Sequence, residues 1–133
     1  MSDILQILEL EKCNDKQIRL YRIDRYWIAF ERSAFNLFSV CCVDTIVKIK
    51  DMKEEKNSML IAVMKNGTSG LYNPQFTILE MTDNEMLIEC RTTCRGFQYW
   101  KNSLVSLVTG NLYLAPDDTA YNVQHLNLKM LLN

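Results

Sequence analysis

The stretch Ile18–Ala34, IRLYRIDRYWIAFERSA, decides how this chain folds. Apolar residues recur through Gln17–Ile23, which predicts a β-strand. Asp24 and Arg25 then favour a tight turn into a second strand, Tyr26–Phe30. The stretch also combines four arginines with several aromatic rings. Because arginine neutralises phosphates and exposed aromatic rings stack on bases, this combination indicates nucleic-acid binding.

Length and composition predict one domain over residues 1–133. Fifteen Lys and Arg against sixteen Asp and Glu give a net charge of −1, which disfavours binding to nucleic acid by electrostatics alone. The local balance differs, because six basic and three acidic residues between Lys12 and Arg32 leave +3 there. Without a signal sequence or an apolar run of about 20 residues, we expect no membrane contact. Five cysteines without a framework spacing predict reduced thiols and a cytoplasmic location.

Periodicity and turn residues outline the remaining elements. Predicted helices run from Asp3 to Lys12, from a cap at Ser33 to about Cys41, from a cap at Thr93 to about Val108, and from Pro116 to Leu132. Predicted strands, besides the first two, are Thr45–Lys50, Ser58–Lys65, Phe76–Met81 and Met86–Arg91. This order predicts an α+β fold, with helices packed on a mostly antiparallel sheet.

No arrangement of residues predicts catalysis, a metal or a cofactor. Cys90 and Cys94 with His125 superficially suggest zinc, but a structural site needs four ligands and usually closer cysteine pairs. The carboxylates of the Phe76–Arg91 hairpin are predicted to face solvent. We therefore expect a protein that is not an enzyme. The apolar end of the last helix, Leu126–Leu132, favours a homodimer.

Residues Leu20–Ala34 resemble the N-terminal domain of the bacterial mismatch-repair protein MutS, in which a helix leads into a similar aromatic strand and a second helix. The segment Phe30–Ala34, FERSA, is also similar to small stand-alone bacterial proteins often encoded near mobile elements. The match covers about residues 3–40 and implies a fold like that of MutS domain I. MutS recognises mismatches with a Phe-x-Glu element, and here Tyr26 and Ile28 occupy those positions. Since isoleucine cannot replace the carboxylate, the resemblance permits DNA contact but does not support mismatch recognition.

Two hypotheses follow. In the first, the chain binds DNA or RNA through six residues of this region: Arg19, Arg22, Arg25, Tyr26, Trp27 and Arg32. In the second, the chain is a protein-interaction domain, homodimeric or partner-binding, in which the rings are buried and the arginines are solvated or ion-paired. Exposure of both rings on one face, with at least two arginines, would favour the first hypothesis.

Overall fold

The computed structural model describes residues 4–23, 25–41, 43, 45–51, 58–64, 67–104 and 108–110. The helices are α1 (Ile4–Lys12), α2 (Glu31–Val40) and α3 (Phe97–Ser103), and Ser69–Leu71 forms a single 3-10 turn. The strands are β1 (Gln17–Ile23), β2 (Tyr26–Phe30), β3 (Thr45–Asp51), β4 (Ser58–Met64), β5 (Phe76–Met81), β6 (Glu85–Cys90) and β7 (Val108–Gly110).

The seven strands of the described residues form one sheet in the order β5, β6, β1, β2, β4, β3, β7. The first six strands along the chain pair antiparallel, and the short β7 pairs parallel with β3. The predicted α+β class and the predominantly antiparallel sheet are therefore confirmed. The first hairpin has the register that its turn residues predict, with Arg22 opposite Trp27 and Ile23 opposite Tyr26.

Helices cover both faces of the sheet, which explains why its central strands are apolar on both sides. On the face that we call the α1 face, Tyr21, Ile28 and Phe30 pack with Ile7 of α1. On the opposite face, the α2 face, a second group packs around α2: Ile18, Leu20, Ala29, Ala34 and Leu37 are among its buried members. Successive residues of β1 and β2 consequently contribute to different cores.

Two helix boundaries differ from the prediction. Ser33 does not cap α2, because the helix begins at Glu31 and Ser33 is buried in its first turn. The predicted helix from Thr93 to Val108 is also wrong in extent. It starts only at Phe97, after Gly96 in the left-handed conformation, and ends before Leu104, whose backbone is extended.

The end of α3 has a tertiary cause. Lys48 of β3 donates from Nζ to the carbonyl oxygens of Lys101 and Leu104, at 2.8 and 3.0 Å. A lysine that satisfies the last carbonyls of a helix stabilises its end at that point. Val108 then pairs with Ile49 as part of β7, a strand that the sequence did not predict. The predicted last helix and its dimer surface, Leu126–Leu132, lie outside the described residues.

Candidate functional site

The two aromatic residues proposed to contact nucleic acid lie on opposite faces of the sheet. Tyr26 is half-buried and packs against the core on the α1 face. Trp27, also half-buried, packs against the core on the α2 face. Adjacent residues of a strand point in opposite directions, so these rings cannot form a single stacking platform.

The four arginines are also distributed over different surroundings. Arg19 is half-buried on the α1 face, where its Nη2 lies 3.3 Å from Oε1 of Gln17. Arg22 and Arg25 are exposed, the first on the α2 face beside Trp27 and the second in the hairpin turn. Arg32 lies on α2 with its guanidinium 4.8 Å from the centre of the Phe97 ring.

Of the six predicted residues, the structure therefore brings together two, Arg22 and Trp27, with Arg25 in the adjoining turn. Arg19 and Tyr26 are on the other face of the sheet, and Arg32 belongs to the contact between α2 and α3. Ile28, at the position where MutS carries a glutamate, is fully buried. Neither full exposure nor full burial of the two rings is observed.

The first residue of α2, Glu31, links three elements. Its carboxylate accepts hydrogen bonds from the Leu60 N–H of β4, at 3.0 Å, and from Nζ of Lys101 in α3. Lys101 also donates to the carbonyl oxygen of Ser58, at 2.8 Å. Glu31 has a φ of 49°, a left-handed conformation that is uncommon without glycine. These contacts hold the strained backbone in place, so we assign Glu31 a structural role.

A buried polar network explains why α2 begins without a cap from its own sequence. Phe30 precedes the helix and offers no side-chain acceptor. Instead Glu11 of α1, 2% exposed, accepts hydrogen bonds from the N–H of Ser33 at 2.7 Å and from its hydroxyl at 2.6 Å. Asn14 donates from Nδ2 to Glu11 at 3.0 Å and to Ser33 Oγ at 3.1 Å. A carboxylate on α1 thus satisfies a free N–H of α2.

Burial raises the pKa of Glu11 above its ordinary value, although the hydrogen bonds from Ser33 and Asn14 and the nearby charge of Arg19 oppose the shift. Raised pKa values are common at active sites, but also in structural networks. The oxygens of Glu11 point into the contact between α1 and α2. The sequence did not indicate that Glu11 caps α2, because its partners Asn14 and Ser33 lie 3 and 22 residues further along the chain.

Two buried side chains that can ionise, Cys90 and Tyr21, have raised pKa values. Burial raises the pKa of the Cys90 thiol to about 12, which keeps it protonated at neutral pH. Burial likewise raises the pKa of Tyr21 to about 12. Within the described ranges no group of three or more His, Cys, Asp or Glu side chains converges on a metal position. His125, the third residue of the arrangement considered for zinc with Cys90 and Cys94, lies outside these ranges.

Strand β5 forms one edge of the sheet, because it pairs only with β6 among the described strands. Its outer half is exposed, with 46% of Leu79 and 60% of Met81 accessible to solvent. Tyr72 is 61% exposed, and its hydroxyl lies 3.9 Å from the sulfur of Met81. The edge carries neither lysine nor proline, two residues that commonly prevent other strands from pairing there. Sequence reasoning identified this strand but missed its exposed edge.

One irregularity interrupts this edge. The pairing of β5 with β6 shifts between Ile78 and Glu80, so Leu79 is an additional residue without a partner on β6. Such a β-bulge twists a strand and shortens its regular edge. The regular parts on either side of the bulge are Phe76–Ile78 and Glu80–Met81.

Comparisons with known proteins add no relative: no family model, no curated protein and no solved structure matches this chain. Among the described residues, no helix is long and apolar enough to span a membrane. The site must therefore be judged from its own geometry.

Proposed function

We propose that this protein is a non-enzymatic protein-interaction domain and that it docks other polypeptides along strand β5. The observation that carries the proposal is an edge strand whose outer side pairs with no other described strand and lies beside three exposed apolar side chains, Tyr72, Leu79 and Met81. Proteins commonly bind an extended segment by adding it to such an edge. Backbone hydrogen bonds then supply affinity, and the exposed side chains supply selectivity.

The distribution of the arginines supports the same proposal. Arg32 is engaged with Phe97, and Arg19 is half-buried on the α1 face, so two of the four cations of the opening stretch are partly removed from solvent. The hairpin next to the exposed edge is acidic, since Glu80, Asp83 and Glu85 are all exposed. An acidic surface repels phosphates, whereas it is compatible with a polypeptide partner.

Site-specific photo-crosslinking tests the proposal directly. Leu79 is replaced by p-benzoylphenylalanine in the full chain, which is then irradiated in an extract of the source organism. A matched chain carries the same group at Tyr99, a residue of α3 that is 83% exposed. We expect discrete covalent products from position 79 that are absent from position 99. Equal labelling from both positions, or no product from position 79, would overturn the proposal.

A smaller cluster favours a second candidate function, nucleic-acid binding at the first hairpin. Arg22 lies directly opposite Trp27 on one face, and Arg25 is exposed in the turn between their strands. A guanidinium next to a half-exposed indole can contact a phosphate while a base stacks on the ring.

Fluorescence anisotropy with duplex and single-stranded DNA at low and physiological salt tests this candidate. The variant Arg22→Ala/Arg25→Ala should then lose affinity, whereas Arg91→Ala/Arg95→Ala removes the same charge elsewhere and should not. Absence of binding at low salt would eliminate the candidate.

A further inference from the structure

The backbone groups along the open edge of β5 can be assigned from the hydrogen bonds at its two ends. The carbonyl oxygen of Gln75 accepts from Arg91, and the N–H of Thr82 donates to Glu85, both at 2.8 Å and both towards β6. Backbone groups alternate in direction along a strand, so those of Phe76 and Met81 point away from β6. The Phe76 N–H already donates to Asn73, which leaves its carbonyl oxygen as the group presented to a partner.

The side chains of β5 divide between the two faces of the sheet in a pattern set by the bulge. Phe76 and Met81 lie opposite Cys90 and Met86, two members of the α2-face core. Thr77 lies opposite Glu89, and Glu80 lies opposite Leu87 after the additional residue. These two therefore belong to the α1 face. Without the bulge, Phe76 and Met81, five residues apart, would lie on opposite faces.

We propose that the partner of β5 is a second copy of this chain, paired antiparallel about a two-fold axis between Ile78 and Leu79. This inference rests on the proposed function and names the occupant of the same edge. In this register Phe76 of one copy faces Met81 of the other, and Thr77 faces Glu80. The two sheets then join into a continuous one.

The register is self-complementary in three respects. Phe76 and Met81 both direct backbone groups outward, so the carbonyl oxygen of one meets the N–H of the other. Both side chains are apolar and share the α2 face, whereas Thr77 and Glu80 share the α1 face. Glu80 is the one charged residue between Phe76 and Met81, and it meets a hydroxyl rather than a second carboxylate.

Two alternative registers lack this agreement. A shift of one residue places Thr77 opposite Met81, on the wrong face. An axis at Glu80 would place two carboxylates directly opposite each other, which is unfavourable across strands. The bulge falls at the two-fold axis, so each copy supplies the same irregularity and the flanking pairs remain in phase. The edge therefore fits a second copy in this register.

Charge substitutions at the two facing positions test the proposal by sedimentation equilibrium of the purified full chain. Thr77 and Glu80 are both exposed, so their variants should retain the fold. The wild type should dimerise. Thr77→Glu places a carboxylate opposite Glu80 of the other copy, and two-fold symmetry gives two such contacts in the dimer. The two repulsive contacts should raise the dimer Kd by roughly 2- to 30-fold. The double variant Thr77→Glu/Glu80→Lys converts both contacts into opposite charges and should restore dimerisation.

The double variant also serves as the internal control. Within one chain, position 77 lies opposite Glu89, so the carboxylate introduced by Thr77→Glu meets the same neighbour in the single and double variants. Recovery of dimerisation therefore reports the contact between chains, and circular dichroism checks the fold of each variant.

Each outcome distinguishes this inference from the proposed function. A monomer at every concentration, combined with crosslinks from position 79 to a different protein, would refute the second copy and leave β5 as a docking edge. A dimer whose Kd is unaffected by both charge variants would refute the proposed register and would show that the two copies do not meet at β5. A monomer without crosslinks from position 79 would overturn both proposals.

Discussion

Replacing Glu11 by alanine should strongly destabilise the fold. The substitution removes the acceptor of three hydrogen bonds, from the N–H and the hydroxyl of Ser33 and from Asn14. Asn14 keeps two other acceptors, Gln17 O at 2.9 Å and Ser33 Oγ at 3.1 Å. The N–H and the hydroxyl of the buried Ser33 both lose their acceptor, the Glu11 carboxylate.

The magnitude follows from these two donors. A buried donor without a partner costs about 1–3 kcal/mol, so the two together cost about 2–6 kcal/mol. Removing a carboxylate that is itself poorly solvated offsets part of this cost. We therefore expect a loss of about 2–4 kcal/mol in the free energy of unfolding, a large fraction of the roughly 5–15 kcal/mol of a typical domain.

Urea unfolding at neutral pH, followed by circular dichroism, measures this loss. Glu9→Ala is the matched control, because Glu9 lies on the same helix with a 72% exposed side chain and pairs only weakly with Lys12. We expect that control to change stability by less than about 1 kcal/mol. Adding Ser33→Ala to Glu11→Ala removes the orphaned hydroxyl, so the double variant should lose about 1–3 kcal/mol less than the sum of the singles. Equal effects of Glu9→Ala and Glu11→Ala, or strict additivity, would refute the reasoning.

Three further predictions concern titration, a tertiary ion pair and thiol access. Because the folded-state pKa of Glu11 is raised above 4.5, its protonation favours the folded state. The stability of the wild type relative to Glu11→Gln, measured by urea unfolding over a pH series, should therefore fall as pH rises from 4.5 through the folded-state pKa. A stability difference that does not change with pH would contradict the burial of this carboxyl group. Lys101→Met removes two donated hydrogen bonds at a site where both charged side chains are about 15% exposed or less, so thermal and urea unfolding should show a loss of roughly 1.5–3 kcal/mol. A loss below about 0.5 kcal/mol, the size of a typical surface effect, would contradict this prediction. Pulsed iodoacetamide labelling with peptide mapping should modify the exposed Cys13 in the native protein but the buried Cys90 only after unfolding, and equal native rates would contradict the assignment.

The strands were the most predictable part of the fold because their information is local. Alternation in Gln17–Ile23 and turn residues at Thr82–Glu85 specify two hairpins, and both form as expected. Helix ends were less predictable, since contacts distant in sequence determine them. Ser33 has the side chain of a capping residue, yet Glu11 provides the acceptor, and the helix starts at Glu31, two residues before Ser33.

The candidate site was less predictable than the fold for a related reason. Counting arginines and aromatics in one stretch does not show which face each side chain occupies, and a strand places Tyr26 and Trp27 on opposite faces. Similarly, the sequence of β5 does not reveal that it lies at an edge. That property depends on the order of all strands in the sheet, which joins β6 to β1 across the chain.

The junction between β2 and α2 contains no connecting residue: Phe30 ends the strand and Glu31, with its left-handed backbone, begins the helix. One residue inserted there would rotate every position of α2 by about 100° about its axis. Ser33 would then leave Glu11, and Leu37 would leave the core. A loop of several residues, such as the one joining β5 to β6, can accommodate an added residue by extending into solvent, whereas this junction cannot. We therefore expect insertions and deletions at this junction to disrupt the packing of the whole helix.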